Sequence, residues 1–540
     1  MATTLIDRPW LVQKYGGTSL GKLLDTICNN IIPSYSDDNN VIVVCSALSG
    51  TTKATGTTSL LLECISLAES GFAAQELLNR TIDIIRDNHL RVLDKYLANR
   101  DGTRNDVHAT TAAALEEECE SLRRFLLAAQ IVRELSPRSK DRVIALGERL
   151  SCLITACFLA SKGIAARALV LDDIVESVFG TAVHDQRTAL EALGPDFYRA
   201  LAEEIRRRIE ACPGKIPVVT GFFGIMPDSL LKTVGRGYSD LCAALCALGV
   251  GAAELQIWKE VEGIFTADPR KVPSARLLST VTAEEATELT YYGSEVIHPL
   301  TMDQICYANI PLRLKNVFNP KGPGTIIYPS LTSTNASSPL LDGPVEVDRK
   351  LCSPASGFLL ENGYHGEQQE RRRPTAVTVK ESITLINVAC NRNTKSQGFL
   401  AGVFNRLEDN RVPVDLVATS EGNVSLALQC PKDAQSQRRR LKADLEKYGK
   451  VTVSDNMSII TVVGHKMRNM VGISSEIMSA LASAKINIYL VSQGASEINV
   501  SLVIRAEDAI LGMNVIHGKV LKIATHWEKE NSFIKGPWLY

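Results

Sequence analysis

Five short segments collect residue types that can hold anions and ammonium groups. The first is Lys14-Tyr15-Gly16-Gly17-Thr18-Ser19, which closes an apolar run and opens a helix-like stretch. Glycines at such a turn let backbone N–H groups approach an anion, and a helix N-terminus adds partial positive charge. Lys14 would add a point charge at phosphate oxygens; the plainer reading is a tight turn. It is not a Walker A loop, because no G-x-x-x-x-G-K-[ST] occurs. The second segment runs Val44-Cys45-Ser46-Ala47 and then Ser49-Gly50-Thr51-Thr52, where hydroxyls and N–H groups could hold a carboxylate or an amine, or form an ordinary loop. The third, Leu146-Gly147-Glu148-Arg149, reads as lying near the start of an apolar helix. Glu148 there can pair with a substrate ammonium or simply complement the helix dipole.

The fourth segment joins Gly221-Phe222-Phe223-Gly224 to Thr233-Val234-Gly235-Arg236-Gly237-Tyr238-Ser239-Asp240, ahead of an apolar helix. A Gly-Arg-Gly loop suits two anions side by side, and Arg236 can grip a carboxylate with a bidentate fork. Asp240 can cap the helix or hold an ammonium. The fifth, Ile257 to Arg270, follows a strand, ends in a turn signal and looks like the rim of a nucleotide site.

These segments need a scaffold. Residues 10 to 328 alternate strand-like runs (Trp10 to Tyr15, Val41 to Cys45, Ala166 to Leu171, Ile216 to Thr220, Glu254 to Trp258, Leu312 to Asn316) with amphipathic stretches such as Ala112 to Glu134, Arg142 to Ser161 and Asp196 to Ala211. That alternation predicts an α/β domain with a mostly parallel sheet covered on both faces. Ligands then sit beyond the carboxyl ends of the strands, where the five segments fall. Residues 329 to 375 turn rich in Ser, Pro, Gly and Asn, then in Gln, Glu and Arg, and read as a linker or insertion. The remainder repeats itself: Gly398 aligns with Gly472, Leu407 with Leu481, Asp415 with Tyr489 and Asn423 with Asn499. Each copy reads strand, Gly loop, helix, strand, hairpin, strand.

Composition narrows the class. The chain has 540 residues, too many for one core, with a formal net charge of -1 that gives no bulk pull toward nucleic acid or acidic membrane. Its three Arg-Arg-Arg runs read as solvated faces. The 13 cysteines form no C-x-x-C and mostly lie in apolar patterns, which fits buried reduced thiols. The N-terminal residues show no apolar signal region, and the uncharged stretch Leu241 to Ala253 is too short to span a bilayer. A cytoplasmic enzyme is the expectation.

Taken together, K-Y-G-G-T-S, the strand ending V-C-S-A, A-L-G-E, G-F-F-G with G-R-G-Y-S-D, and G-I-F-T-A-D-P-R-K-V-P resemble the aspartokinases of the amino-acid kinase family. The C-terminal repeat resembles their paired ACT domains. The wording W-K-E-V and Y-Y-G-S-E-V-I-H-P is similar to the fungal type. The resemblance implies a kinase domain over 10–328, a linker over 329–375, α+β ferredoxin-like ACT domains over 376–455 and 456–527, and a tail over 528–540.

It implies ATP-dependent phosphorylation of L-aspartate to 4-phospho-L-aspartate, with Mg²⁺ riding on the phosphates. Lys14 would contact the transferring phosphoryl group, with Asp240 beside the substrate. Ser46, Thr52, Glu148 and Arg236 would hold aspartate. Gly16, Gly17 and Ser19 would cradle phosphates, and Lys259, Glu260, Phe265 and Arg270 would lie near the nucleotide. Gly398, Phe399, Leu400, Val414, Asp415, Thr419 and Ser420 would line one effector pocket; Met467, Asn487, Ile488 and Gln493 would line its equivalent. The implied effector is L-threonine, with lysine second, and the implied state is a homo-oligomer joined at least pairwise through the ACT domains. Tyr238 stands where bacterial members have a glycine, Lys259-Glu260 where they have Thr-Asp, and Glu295 where they often have a lysine. Lys259 is expected to replace that lost cation. His298 reads as structural. Other expectations are a kinase of the same fold acting on another small acid, and a non-catalytic amino-acid sensor.

Overall fold

The structure, a computed structural model, describes residues 8–50, 55–97, 106–235, 237–293, 297–329, 373–390, 398–420, 422–429, 435–494 and 498–523. Contact density divides the chain into two compact units, residues 1–263 with 297–340, and residues 264–296 with 341–540. Thr52, Arg236, Glu295, almost all of the expected linker and the expected tail lie outside the described residues.

In the first unit the β-branched runs form β1 (Trp10–Tyr15), β2 (Asn40–Cys45), β3 (Ala166–Leu169), β4 (Ile216–Thr220), β5 (Glu254–Lys259), β6 (Leu312–Asn316) and β7 (Thr325–Tyr328). They lie in the order β3-β4-β2-β1-β5-β6-β7. All are parallel neighbours except the last, β7, which runs antiparallel to β6. Val41 to Cys45 are all buried, as expected of a strand covered on both faces. The register sets Tyr15 beside Cys45 and Trp258, and Cys45 beside Thr220. The carboxyl ends of four adjacent strands are therefore level.

Helices cover the sheet. Ser136 caps helix Pro137–Ser161 by accepting from Ser139 N–H at 3.1 Å, and Pro137 occupies its first position, where a missing N–H costs nothing. This helix is long and apolar enough to cross a membrane, but most of it is buried in the core. The N-cap of helix Tyr238–Val250 is Gly237 in the left-handed region (φ 95°), so Ser239 and Asp240 sit inside the first turn rather than capping it.

The second unit is built on a six-stranded antiparallel sheet. Its strands are β8 (Ala376–Cys390), β9 (Leu416–Ser420), β10 (Asn423–Gln429), β11 (Gly449–Val463), β12 (Leu490–Gln493) and β13 (Asn499–Arg505), in the order β9-β10-β8-β11-β13-β12. The long β8 and β11 pair with each other at the centre. The internal repeat is visible here residue by residue. Gly398 and Gly472 are both left-handed N-caps, opening helices Phe399–Asp409 and Ile473–Ser483, and each copy continues into two paired strands. Each copy also ends in a helix beyond the elements expected from the sequence, Gln435–Leu445 and Ala509–Lys519.

Candidate active site

The loops leaving β1, β2, β4 and β5 meet because glycines let them touch. A Cβ on Gly17 would lie 1.8 Å from the Ala47 carbonyl oxygen, and one on Gly221 2.6 Å from Ser239 Cβ. Gly147, on helix Pro137–Ser161, likewise lies against Ala47, where a Cβ would fall 2.7 Å from that methyl. Gly16 differs: a Cβ there would meet nothing within 4 Å. The first turn of helix Gly17–Thr26 thus begins at an open position, where its unpaired N–H groups can face an anion.

Charge gathers beside this opening. Lys14, at the end of β1, places Nζ 2.5 Å from Asp240 Oδ1, and both side chains are nearly buried. Lys259, at the end of β5, places Nζ 3.9 Å from Asp240 Oδ2. Burial alone pushes the Asp240 carboxyl up, but Lys14 and then Lys259 outweigh it and hold it below the usual carboxylate range. Ser19 Oγ, one turn into the first helix, donates to Glu260 Oε1 at 2.6 Å. Lys14, Ser19, Lys259, Glu260 and Asp240 therefore form one connected polar rim.

A second set of groups lies on the β2 side. Ser46 and Ser239 hydroxyls are 2.9 Å apart. Tyr238 donates its hydroxyl to Glu148 Oε1 at 2.6 Å. Glu148 sits in the middle of helix Pro137–Ser161, not near its start, so the helix dipole does not account for it. The carboxylate is buried, and desolvation is the main reason it is pushed up to about 7; the bond from Tyr238 and the Ala47 N–H pull the other way. Its Oε2 has no hydrogen-bond partner among the described residues. A buried carboxylate with one open oxygen is a fitting seat for an ammonium group.

Both ring nitrogens of His298, expected to be structural, have partners. Its Nε2 lies 2.9 Å from the Val234 carbonyl oxygen, and its Nδ1 accepts from Leu300 N–H at the start of helix Pro299–Ala308.

The amino acid kinase family model matches residues 9–316, and an ACT domain model matches 460–520. The aspartokinase of Candida albicans is 43% identical over 520 residues, 95% of this chain and 90% of that protein. That of Saccharomyces cerevisiae is 42% identical over 526 residues, 96% of this chain and 94% of that one. The chain belongs to the aspartokinases of the amino acid kinase family.

In fold, the chain is similar to Escherichia coli aspartokinase III, crystallised in complex with aspartate and ADP. The TM-score is 0.62 at 23% identity, covering 95% of this chain and 99% of that one. The aspartate kinase of Clostridium acetobutylicum gives a TM-score of 0.69 at 20% identity, covering 94% and 100%.

Of the expected site residues, the fold brings Lys14, Gly16, Gly17, Ser19, Ser46, Glu148, Asp240, Lys259 and Glu260 to one end of the sheet. Phe265 and Arg270 fall in the other unit. Arg270 is exposed there and paired with Asp268 at 2.9 Å. Among the expected effector residues, Phe399 and Met467 are buried in the two cores of the second unit. Leu400, Thr419, Ser420, Asn487 and Gln493 are exposed, while Val414 and Ile488 are half-buried. Asp415 is taken up by Lys380, whose Nζ is 2.6 Å away. Tyr238 and Ser239 join the site through partners 90 and 193 residues away, which no local pattern in the sequence marks.

Proposed function

We propose that the chain transfers the γ-phosphoryl group of ATP to the side-chain carboxylate of L-aspartate at the carboxyl ends of β1, β2, β4 and β5, giving 4-phospho-L-aspartate. The observation that carries this reading is the convergence of Lys14 and Lys259 on Asp240 beside an open helix N-terminus. The acceptor carboxylate is already ionised near neutral pH, so no general base is needed. What opposes reaction is repulsion between two anions, and positioned positive charge is the remedy. Lys14, Lys259 and the helix N–H groups supply that charge. Gly16, Gly17 and Ser19 hold phosphates. Ser46, Thr52 and Arg236 hold the amino acid's carboxylates, and Glu148 its ammonium.

Among the described residues no group of three or more His, Cys, Asp or Glu could hold a metal ion. Mg²⁺ therefore fits as a partner of the phosphates, neutralising their charge with most of its shell as water.

The paired α+β units support feedback control by an amino acid, with L-threonine as the effector, and association of copies through this part of the chain. The domain limits expected from the sequence are part of the same proposal, except that residues 264–296 group by their contacts with the C-terminal unit and not with the rest of 10–328. The thiols buried among the described residues, nine in all, fit a reducing, cytoplasmic setting.

The test is a coupled ADP assay over a panel of amino acids, with hydroxylamine trapping of the acyl phosphate and with threonine and lysine titrated in. Aspartate-dependent ADP release with a trapped hydroxamate is expected. Lys14→Ala should lower kcat by about 100-fold or more with a smaller change in aspartate KM, because its contact strengthens in the transition state. A K14A enzyme with unaltered kcat refutes the assignment.

A further inference from the structure

We infer that Tyr238 is a positioning residue for the amino-acid substrate: its hydroxyl turns Glu148 so that one carboxylate oxygen is satisfied by the protein and the other is left for the substrate ammonium. This deepens the proposed reading of Glu148 and rests on it. Tyr238 opens the same helical turn that carries Ser239 and Asp240, so one turn reaches the substrate's ammonium seat, the Ser46 hydroxyl and the Lys14 ammonium together. The Tyr238 ring is buried and packs edge-on against Phe222 at 6.0 Å, which fixes where its hydroxyl points. The hydroxyl reaches Glu148 Oε1 at 2.6 Å, short enough for a charge-assisted bond to an ionised carboxylate. Oε2 is equally buried and unpartnered among the described residues. A carboxylate with one oxygen bonded and the other bare is half of a site, and an ammonium completes it.

The surroundings make this bond matter near neutral pH. Burial pushes Glu148 up to about 7, and Asp172, after β3, pushes in the same direction. Arg149 pairs with that Asp172 and Asp141 acts on Tyr238, while the Cys152 thiol lies on the same helix as Glu148 and the Cys242 thiol beside Tyr238. Burial raises both well above the usual thiol value, and it raises the Tyr238 hydroxyl as well, so all three stay protonated. Glu148 alone of these changes charge around pH 7. Its ionised form attracts the ammonium and its protonated form does not, so aspartate affinity should fall as pH drops through this range. The Tyr238 bond favours the ionised form; removing it should move the fall to higher pH.

The experiment is aspartate KM as a function of pH for wild type, Y238F, E148Q and the double variant. In wild type KM should rise as pH falls below about 7. In Y238F the rise should begin about one to two pH units higher. E148Q should have a raised KM without this titration, and adding Y238F to it should change little, because the two residues act as one unit. A Y238F profile that overlays wild type overturns the inference, whatever E148Q does. An E148Q variant with wild-type KM instead overturns the underlying assignment of Glu148. Proton release on aspartate binding, measured calorimetrically at pH 7 in two buffers of different ionisation enthalpy, checks the same claim in wild type without any variant. Net release is expected, and its absence counts against Tyr238 holding a titrating seat.

Discussion

Asp240 shows how a single side chain in this site is held by opposing forces. Burial disfavours its charge, and two ammonium groups restore it, Lys14 at 2.5 Å and Lys259 at 3.9 Å. Replacing it by asparagine keeps the shape and removes the charge both lysines share. Breaking a buried pair from one side commonly costs about 3–5 kcal/mol, because the remaining charge stays desolvated. D240N should therefore lose stability of about that size at neutral pH, read from urea melts. The pH dependence has a definite sign. Asp240 is depressed below its ordinary 3.8, so its contribution is complete above that value and disappears as pH falls through the lower folded value. The gap between wild type and D240N should thus close in acid. A gap that does not narrow at all as pH falls below 3.8 would mean the loss comes from packing, not charge.

At the scale of elements, the two glycines after β1 have different tasks. Gly17 is required by contact, since any Cβ would strike the Ala47 carbonyl at 1.8 Å. Gly16 has extended backbone (φ -72°, ψ 154°) and empty space around it. G17A should pry the first helix from the β2 loop, lowering both thermal stability and activity. G16A should leave the thermal melt nearly unchanged, within about 1 kcal/mol, because the conformation is open to alanine. Its ATP KM should nevertheless rise, because the new methyl occupies the mouth of the phosphate cradle. If G16A binds ATP as wild type does, the empty space is not that cradle. The sequence placed these strands and their glycine ends correctly, since apolar β-branched runs ending in Gly or Ser are local signals. It misplaced Glu148, because the charged stretch Arg138 to Arg142 hides the helical period upstream, although Ser136-Pro137 marks the true start. It gave no sign that Tyr238 would reach Glu148, a pairing that only tertiary packing creates.

For the whole molecule, segment Ile264–Val296 is the instructive part. It lies inside the amino acid kinase family match, yet its contacts group it with the C-terminal unit. Linear reading could not separate these, because the segment carries nucleotide-rim wording while its burial partners come from β8 and β11. Glu285 is the main tie. It closes a capping box with Thr282 at the start of helix Ala283–Tyr292, and its Oε1 also accepts from Thr375 Oγ1 at 2.6 Å and from His465 N–H at 2.9 Å. Thr375 precedes β8 and His465 follows β11, so one buried carboxylate joins the helix to both central strands. Further along, Glu288 bonds Asn499, and Tyr291 reaches Asp415 at 3.5 Å, one of the expected effector residues. A helix fastened in this way should move with the six-stranded antiparallel sheet. E285A removes a cap and two buried bonds to a charged group, for a loss of about 2–4 kcal/mol. E285Q, which keeps an acceptor, should lose less. If the helix carries the signal of the proposed inhibitor, E285A should also weaken the proposed inhibition by threonine, by about five-fold or more in the concentration needed, while the uninhibited kcat changes little. Inhibition of undiminished strength in a destabilised E285A enzyme would show that the tie serves stability alone, and that any signal leaves the six-stranded sheet by another route.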